Sequence, residues 1–275
     1  MKRLQQLFAI VLTIVLLASC GKNDTAEKKE TTLKEDNKIL IGVTATPHEE
    51  IIKALEEEFK AKGLEVETKV FSDYPLFNTA LADGEIDANY FQHEPYFEDF
   101  CEEHDLDLVS LGAVHLEPLG FYAKDLTSID ELSEGAEIII PNDDTNCGRA
   151  LLLLQENGLI TLENGDELGQ TEKDVKDNPK NLKITPVDAA TAAKTYQDVD
   201  GGVINSNYAI LEGLNPVEDA LVLESTENNP YANIVAVRRG EENSEKYKVL
   251  MEVLQSDACK TFIENEYGGS VVPAK

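Results

Sequence analysis

The chain contains no tryptophan, and it has only four cysteines and four histidines among its 275 residues. With Cys20 set aside, the remaining cysteines are Cys101, Cys147 and Cys259. An odd, sparse set of this kind argues against a disulfide scaffold, although a single bridge stays open. Basic residues are also scarce, with 24 Lys and Arg against 53 Asp and Glu and a formal net charge of −29. Such a surface repels nucleic acid and anionic lipid headgroups, so neither is an expected partner.

The common signatures of metal sites and hydrolases are missing as well. The histidines show neither H-x-x-x-H nor H-E-x-x-H spacing, and no loop is rich in histidine. There is no G-x-S-x-G motif and no phosphate-binding glycine loop. A metal-binding receptor therefore ranks second among the hypotheses, and an enzyme that pairs Cys147 with His93 or His115 ranks third. No cofactor, metal site or catalytic residue is expected.

The first residues predict a lipoprotein signal peptide over residues 1–19. A short basic start precedes the run 7–17, which is apolar except for Thr13, and the sequence Leu-Ala-Ser-Cys then ends at Cys20. The apolar run is too short to be interpreted as a membrane-spanning helix. Cys20 is the predicted lipidation site, and the polar residues 20–37 form a predicted disordered tether. We therefore expect a lipid-anchored protein on the extracytoplasmic face of the cell membrane.

From residue 38 onward, predicted strands and helices alternate along the chain. Strands are predicted over residues 38–44, 64–71, 86–90, 106–114, 120–123, 137–140, 182–186, 201–205, 220–223 and 233–238. Helices are predicted over residues 47–62, 74–81, 95–103, 128–132, 150–157, 171–177, 188–196, 207–212, 244–255 and 256–266. Two βα series with extended segments near 118–123 and 229–238 indicate two α/β lobes joined by two crossing segments. The predicted lobe limits are 38–118 and 229–275 for the first lobe and 119–228 for the second.

The loop of residues 141–149 is the most informative polar segment. It follows the apolar run 138–140 and leads into the predicted helix 150–157. Asp144, Thr145 or Asn146 could cap that helix, and Gly148 could let a ligand approach the backbone. Because Arg149 is unfavourable at a helix N-terminus, we expect it to bind an anion as a bidentate partner, and a free carboxylate fits. The alternative is an ordinary loop with a surface arginine.

A lipid tether and two α/β lobes with a cleft between them indicate a solute-binding receptor of an ABC importer. Several segments carry a more specific resemblance, namely 72–74, 87–96, 141–149, 203–209 and 230–234. Together they resemble the NlpA-type lipoprotein family, over essentially all of residues 38–275. The best-known members of that family are the methionine-binding lipoproteins of methionine ABC importers. The resemblance implies a periplasmic-binding-protein-like fold with type II-like lobes.

The resemblance also implies roles for individual residues. Tyr74, Phe91, His93 and Tyr96 match the positions that surround the methionine side chain, and a polarizable thioether packs well against aromatic rings. Arg149 matches the arginine that pairs with the ligand carboxylate.

The amides of Asn207 and Asn233 match positions that bind the ligand head, and Asn142 and Asn146 are plausible additional contacts. Asn207 could equally be a helix N-cap. Glu117 could face the ligand ammonium, but a structural role for Glu117 and His115 is favoured.

The resulting expectation is a receptor that captures L-methionine in the interlobe cleft and delivers it to a membrane permease. The alternatives are D-methionine, a methionine-containing dipeptide or another amino acid. Cys147 stands where family members commonly have a small residue, often glycine. Beside an arginine at a helix N-terminus its thiol could have a lowered pKa and a redox role, or it could be a small filler residue.

Overall fold

A computed structural model describes residues 37–274 of the chain. The predicted signal peptide, the lipidation site Cys20 and all but the last residue of the predicted tether lie outside the described residues. Within residues 37–274, no helix has both the length and the apolar character needed to cross a membrane.

Strands and helices alternate through most of the described chain. The strands are β1 Lys38–Val43, β2 Glu65–Val70, β3 Ala88–His93, β4 Leu108–Leu116, β5 Gly120–Tyr122, β6 Glu137–Pro141, β7 Thr161–Leu162, β8 Val175–Asp177, β9 Lys183–Val187, β10 Gly201–Ile204, β11 Val222–Leu223, β12 Ala232–Arg238 and β13 Val272–Pro273. The helices are α1 His48–Ala54, α2 Glu56–Ala61, α3 Pro75–Ala82, α4 Glu94–His104, α5 Asp144–Glu156, α6 Ala189–Thr195, α7 Ser206–Leu211, α8 Pro216–Asp219, α9 Glu245–Leu254 and α10 Asp257–Tyr267.

The first lobe is built on a six-stranded mixed sheet with the order β13-β4-β12-β3-β1-β2. Strand β1 pairs in parallel with β2 and β3, whereas β12 runs antiparallel to both β3 and β4. Apolar side chains of α1, α2, α9 and α10 pack on the sheet, as Ile51, Phe59, Leu250 and Ile263 do in one cluster with Ile41. Because helices cover the sheet, its central strands are buried and apolar.

The second lobe is built on a five-stranded sheet with the order β11-β5-β10-β6-β9. Strand β6 pairs in parallel with β9 and β10, and β5 is antiparallel to β10. Alternation along β6 divides its residues between two clusters, with Ile138 and Ile140 beside Leu151 of α5 and Ile139 beside Ala192 of α6. The chain passes between the sheets after β4 and again before β12. The exact lobe limits, at 118/119 and 228/229, stay a prediction.

Several predicted boundaries are wrong for identifiable reasons. The predicted helix 47–62 is two helices, because Leu55 has a non-helical backbone between α1 and α2. Helix α5 begins at Asp144, because the side chain of Asp143 caps it by accepting from the Asn146 amide. The predicted caps Asp144, Thr145 and Asn146 are thus wrong.

Other differences concern short elements. The predicted helix 171–177 is a 3-10 turn over Glu172–Asp174 followed by strand β8. Strand β3 lies two to three residues later than predicted, because all six of its residues are buried and no alternation marks its ends. Strands β7 and β13 and helix α8 were not predicted.

Candidate ligand-binding site

Residues of both lobes line one cavity, which encloses about 340 Å³ free of protein atoms, part of it open to solvent. Its lining residues are Tyr74, Phe91, Gln92, His93, Tyr96, Glu117, Asn146, Arg149, Asn205, Ser206, Asn207 and Asn233. Eight of the nine sequence-predicted ligand residues are therefore brought together here. Asn142 is not among them, because its side chain is exposed at the end of β6.

Aromatic rings form one wall of the cavity, and the first lobe supplies all of them. Phe91 stacks on the buried ring of Phe77, with centroids 3.9 Å apart. Tyr74 and Tyr96 lie 5.7 and 6.0 Å from Phe91, in tilted and edge-on geometry. A bulge in the pairing of β3 with β12 leaves Phe91 without a cross-strand partner, and bulges redirect side chains in this way. The wall suits an apolar, polarizable ligand side chain.

His93 joins this wall to the second lobe as a neutral donor. Its Nδ1 accepts from the backbone N–H of Tyr96 at 3.1 Å, which assigns the proton to Nε2. Nε2 then donates to Asn146 Oδ1, also at 3.1 Å. Burial first, and Arg149 second, lower the pKa of His93 to about 3, so the ring is neutral at pH 7. The Asn146 amide also contacts Asn205 and Asp143, so its bonds are within the protein.

Arg149 is 3% exposed and already has an anionic partner. Its Nε donates to Glu224 Oε1 at 2.9 Å, and its Nη2 donates to Glu224 Oε2 at 2.6 Å and to the Glu117 carbonyl at 2.7 Å. Its guanidinium also lies 4.3 Å from the Tyr231 ring centroid. The bidentate edge expected for a ligand carboxylate is therefore occupied by Glu224. Nη1 makes no hydrogen bond with any residue from 37 to 274, and it remains available to a ligand.

Two further possibilities raised by the sequence of this loop are not supported by the structure. A Cβ at Gly148 would lie 3.0 Å from the backbone nitrogens of Gly169 and Gln170. Glycine is therefore required here because two chain segments pack closely, and not because a ligand approaches the backbone. The Cys147 thiol has a pKa raised to about 12 by burial, with Glu172 and Asp143 adding to the effect. Cys147 packs in the core of the second lobe, which supports the filler interpretation over a reactive thiol.

The two predicted asparagines each have one end held by the protein. Asn207 Oδ1 accepts from the Tyr74 hydroxyl at 2.6 Å, and Asn233 Oδ1 lies 3.0 Å from His48 Nε2. Asn205, and not Asn207, occupies the N-cap position of α7, so the N-cap alternative for Asn207 is wrong. The Nδ2 groups of Asn207 and Asn233 make no hydrogen bond within the described residues, which leaves two amide donors at the cavity.

The predicted ligand residues did not include four lining residues: Gln92, Glu117, Asn205 and Ser206. Gln92, Asn205 and Ser206 lie inside the segments that carried the family resemblance, so their positions were a usable signal. Gln92 belongs to an amide network with Asn78 and Asn89 that orients its side chain. Glu117 was assigned a structural role, yet its carboxylate borders the cavity.

Glu117 also belongs to the cluster of described residues with the best metal-ligand spacing. Donor atoms of His48, His115 and Glu117 all lie within 4.8 Å of one another. Each ring nitrogen already has a hydrogen-bonding partner, however, because His48 contacts Thr44 and Asn233, and His115 contacts Tyr90 and Glu117. The ring nitrogens of this cluster are therefore all engaged within the protein.

Two α/β lobes around a cavity with an aromatic wall and a polar end define the class of two-lobed solute-binding proteins. A family model described as NlpA lipoprotein matches residues 39–275. The chain belongs to the NlpA lipoprotein family, as the resemblance predicted.

Similar proteins agree with this assignment. The methionine-binding lipoprotein MetQ of Bacillus subtilis (strain 168) is 48% identical, over 98% of this chain and 99% of that protein. The D-methionine-binding lipoprotein MetQ of Escherichia coli (strain K12) is 36% identical, over 93% and 92%. The crystal structure of a nutrient-binding protein from Burkholderia cenocepacia, bound to methionine, superposes with a TM-score of 0.83 at 38% identity, over 86% of this chain and all of that one. The predicted bilobed α/β fold is confirmed, and these relatives are binding proteins rather than enzymes.

Proposed function

We propose that this protein is the solute-binding lipoprotein of an ABC importer, that it captures methionine in the interlobe cavity, and that it delivers methionine to the membrane permease. A lipid on Cys20 anchors it to the extracytoplasmic face of the membrane. L-methionine is the first candidate ligand. D-methionine, a methionine-containing dipeptide or another amino acid is the alternative.

The observation that carries the proposal is the pairing of an aromatic wall with a polar end in one small cavity. The rings of Tyr74, Phe91 and Tyr96 offer apolar contact to a thioether. At the other end, Arg149 Nη1 and the Nδ2 groups of Asn207 and Asn233 have no hydrogen-bonding partner among the described residues, and they are available as donors for a carboxylate. The relatives named for methionine support the same assignment.

Hydrogen bonds between the lobes connect binding to closure. Tyr74 of the first lobe donates to Asn207 of the second, and the Tyr208 hydroxyl donates to the Ser72 carbonyl at 2.9 Å. These contacts form only when the lobes are together. A ligand that touches both walls therefore favours the closed form through its differential affinity.

The test is the identity and affinity of the bound solute. The purified protein is denatured, the released small molecules are identified by mass spectrometry, and the refolded protein is titrated with L-methionine, D-methionine and a methionine dipeptide in a calorimeter. Leucine serves as the control ligand without sulfur. Release or binding of methionine supports the proposal, recovery of a dipeptide selects the alternative, and binding of none of them refutes it.

A further inference from the structure

The charges at the cavity differ from those of a site in which a free arginine simply awaits a ligand carboxylate. Arg149 is neutralised by Glu224, which accepts two hydrogen bonds from its guanidinium. Glu117 is the second buried carboxylate, with 6% exposure, and it lines the cavity. Among residues 37–274, no lysine or arginine forms a salt bridge with the Glu117 carboxylate. The guanidinium that lines the cavity is thus already paired with Glu224 outside the lining, whereas the lining carboxylate of Glu117 has no cationic partner among these residues.

The groups around Glu117 orient its carboxylate without cancelling its charge. His115 Nε2 lies 2.8 Å from Glu117 Oε1, and His48 Nε2 lies 3.4 Å from the same oxygen. The Tyr90 hydroxyl contacts His115 Nδ1, which leaves the proton of a neutral ring on Nε2, where it points at Glu117. Burial lowers the pKa of both histidines to about 3, so both rings are neutral, and His115 donates to Glu117.

A buried carboxylate that accepts from a neutral histidine and has no cationic partner can bind a cation that enters the cavity. Burial raises the pKa of Glu117, whereas His48, Arg149 and the backbone N–H of Asn207 lower it. An ammonium group in the cavity would supply the missing opposite charge, and charge-assisted hydrogen bonds are among the strongest in proteins. The Oδ1 atoms of Asn207 and Asn233 are occupied by Tyr74 and His48, which weakens the expectation that these amides receive the ammonium.

We propose that Glu117 is the residue that binds the α-ammonium of the ligand, and that His115 and Tyr90 are positioning residues that orient its carboxylate. This inference rests on the proposed function and assigns the amino-group selectivity of the same site. It makes the amino group a requirement for tight binding, because a ligand with only a carboxylate leaves Glu117 without a counter-charge.

The test combines a change in the protein with a change in the ligand. Calorimetry compares L-methionine with 4-(methylthio)butanoate, which lacks only the amino group, for the wild-type protein and for Glu117→Gln. Loss of one charge-assisted bond should weaken methionine binding by about 10- to 150-fold, whereas binding of the des-amino acid should change by less than about 3-fold. The preference for methionine over the des-amino acid should therefore collapse in the variant.

The positioning role has its own matched pair of variants. Tyr90→Phe removes the hydroxyl that fixes the His115 tautomer, and it should reduce the same preference by about 3- to 10-fold. Tyr122→Phe removes a buried hydroxyl that has no hydrogen-bonding partner among the described residues and does not line the cavity, and it should change neither affinity. A reduced preference in Tyr90→Phe together with an unchanged preference in Tyr122→Phe supports the positioning role.

The possible failures are distinguishable. If Glu117→Gln weakens both ligands equally, or leaves methionine binding unchanged, Glu117 does not bind the ammonium and the inference is overturned. If Tyr90→Phe leaves the preference intact, the positioning role is overturned alone. If the wild-type protein binds methionine at no measurable affinity, the proposed function itself fails.

Discussion

Replacement of Arg149 by alanine should affect folding and ligand binding through separate contacts. The guanidinium has three hydrogen bonds within the protein, two to the Glu224 carboxylate and one to the Glu117 carbonyl. The side chains of Arg149 and Glu224 are only 3% and 11% exposed. Removal of the arginine alone therefore leaves a nearly buried carboxylate without its cation.

The two effects have different sizes. Breaking a buried ion pair from one side costs about 3 to 5 kcal/mol in the free energy of unfolding, and the slight exposure of Glu224 favours the lower value. Loss of one hydrogen bond from Nη1 to a ligand carboxylate costs about 1.5 to 3 kcal/mol, which raises the Kd for methionine about 10- to 150-fold.

A double variant separates these contributions. Arg149→Ala/Glu224→Gln removes the charge of Glu224 that the single variant leaves unpaired, so about 2 kcal/mol of the lost stability should return, whereas the Kd should stay weak. Urea unfolding without ligand measures the first quantity, and calorimetry measures the second. A double variant that binds methionine with wild-type affinity would refute the role of Arg149 in binding. A double variant no more stable than Arg149→Ala would refute the importance of the ion pair.

Three further predictions concern stability and closure. Because burial lowers the pKa of His48, His93 and His115, the unfolded chain takes up protons below about pH 6.5 that the folded chain does not. The free energy of unfolding should fall by about 1 to 2 kcal/mol per histidine between pH 6.5 and 5. Glu117 offsets part of this fall, because its raised pKa makes the folded chain bind a proton more tightly than the unfolded chain does. If urea unfolding gives the same free energy of unfolding across this range, the histidines are not held neutral. Tyr208→Phe removes an interlobe hydrogen bond and should raise the Kd for methionine by about 2- to 12-fold. Most of this change should come from faster release of methionine, which stopped-flow measurements detect. An unchanged release rate would show that this bond does not hold the lobes closed. Gly148→Ala should lower the free energy of unfolding by about 1 to 3 kcal/mol in urea unfolding, because the new Cβ meets backbone atoms. Helix propensity alone would instead raise the free energy of unfolding, and that result would contradict this packing.

The sequence predicted the lobes and most of the aromatic wall because both are local signals. The strands of both lobes follow hydrophobic runs, and Tyr74, Phe91 and Tyr96 lie in short segments with a family resemblance. The start of α5 was harder, because Asp143, Asp144, Thr145 and Asn146 are all competent caps and only the folded loop selects among them.

The electrostatics of the site could not be predicted in this way. Arg149 and Glu224 are 75 residues apart, and the sequence around neither residue indicates that the two form an ion pair. The same holds for His48 and Asn233, which meet only because distant strands share one sheet. Contacts at such separations depend on the tertiary fold, and one of 53 acidic residues cannot be singled out by composition.

The rings proposed to contact the ligand's tail come from a single stretch of the first lobe, residues 74–96. The residues proposed for the ligand's head all lie outside that stretch: Glu117, Arg149, Asn207 and Asn233. Selectivity for the ligand side chain and selectivity for its amino-acid head are thus encoded in different parts of the gene, and they can be varied independently. A mutant library confined to Phe91 and Tyr96 could convert the protein into sensors for other amino acids while the demand for an amino-acid head is retained. The interlobe hydrogen bonds made by Tyr74 and Tyr208 would stay unaltered in every such sensor.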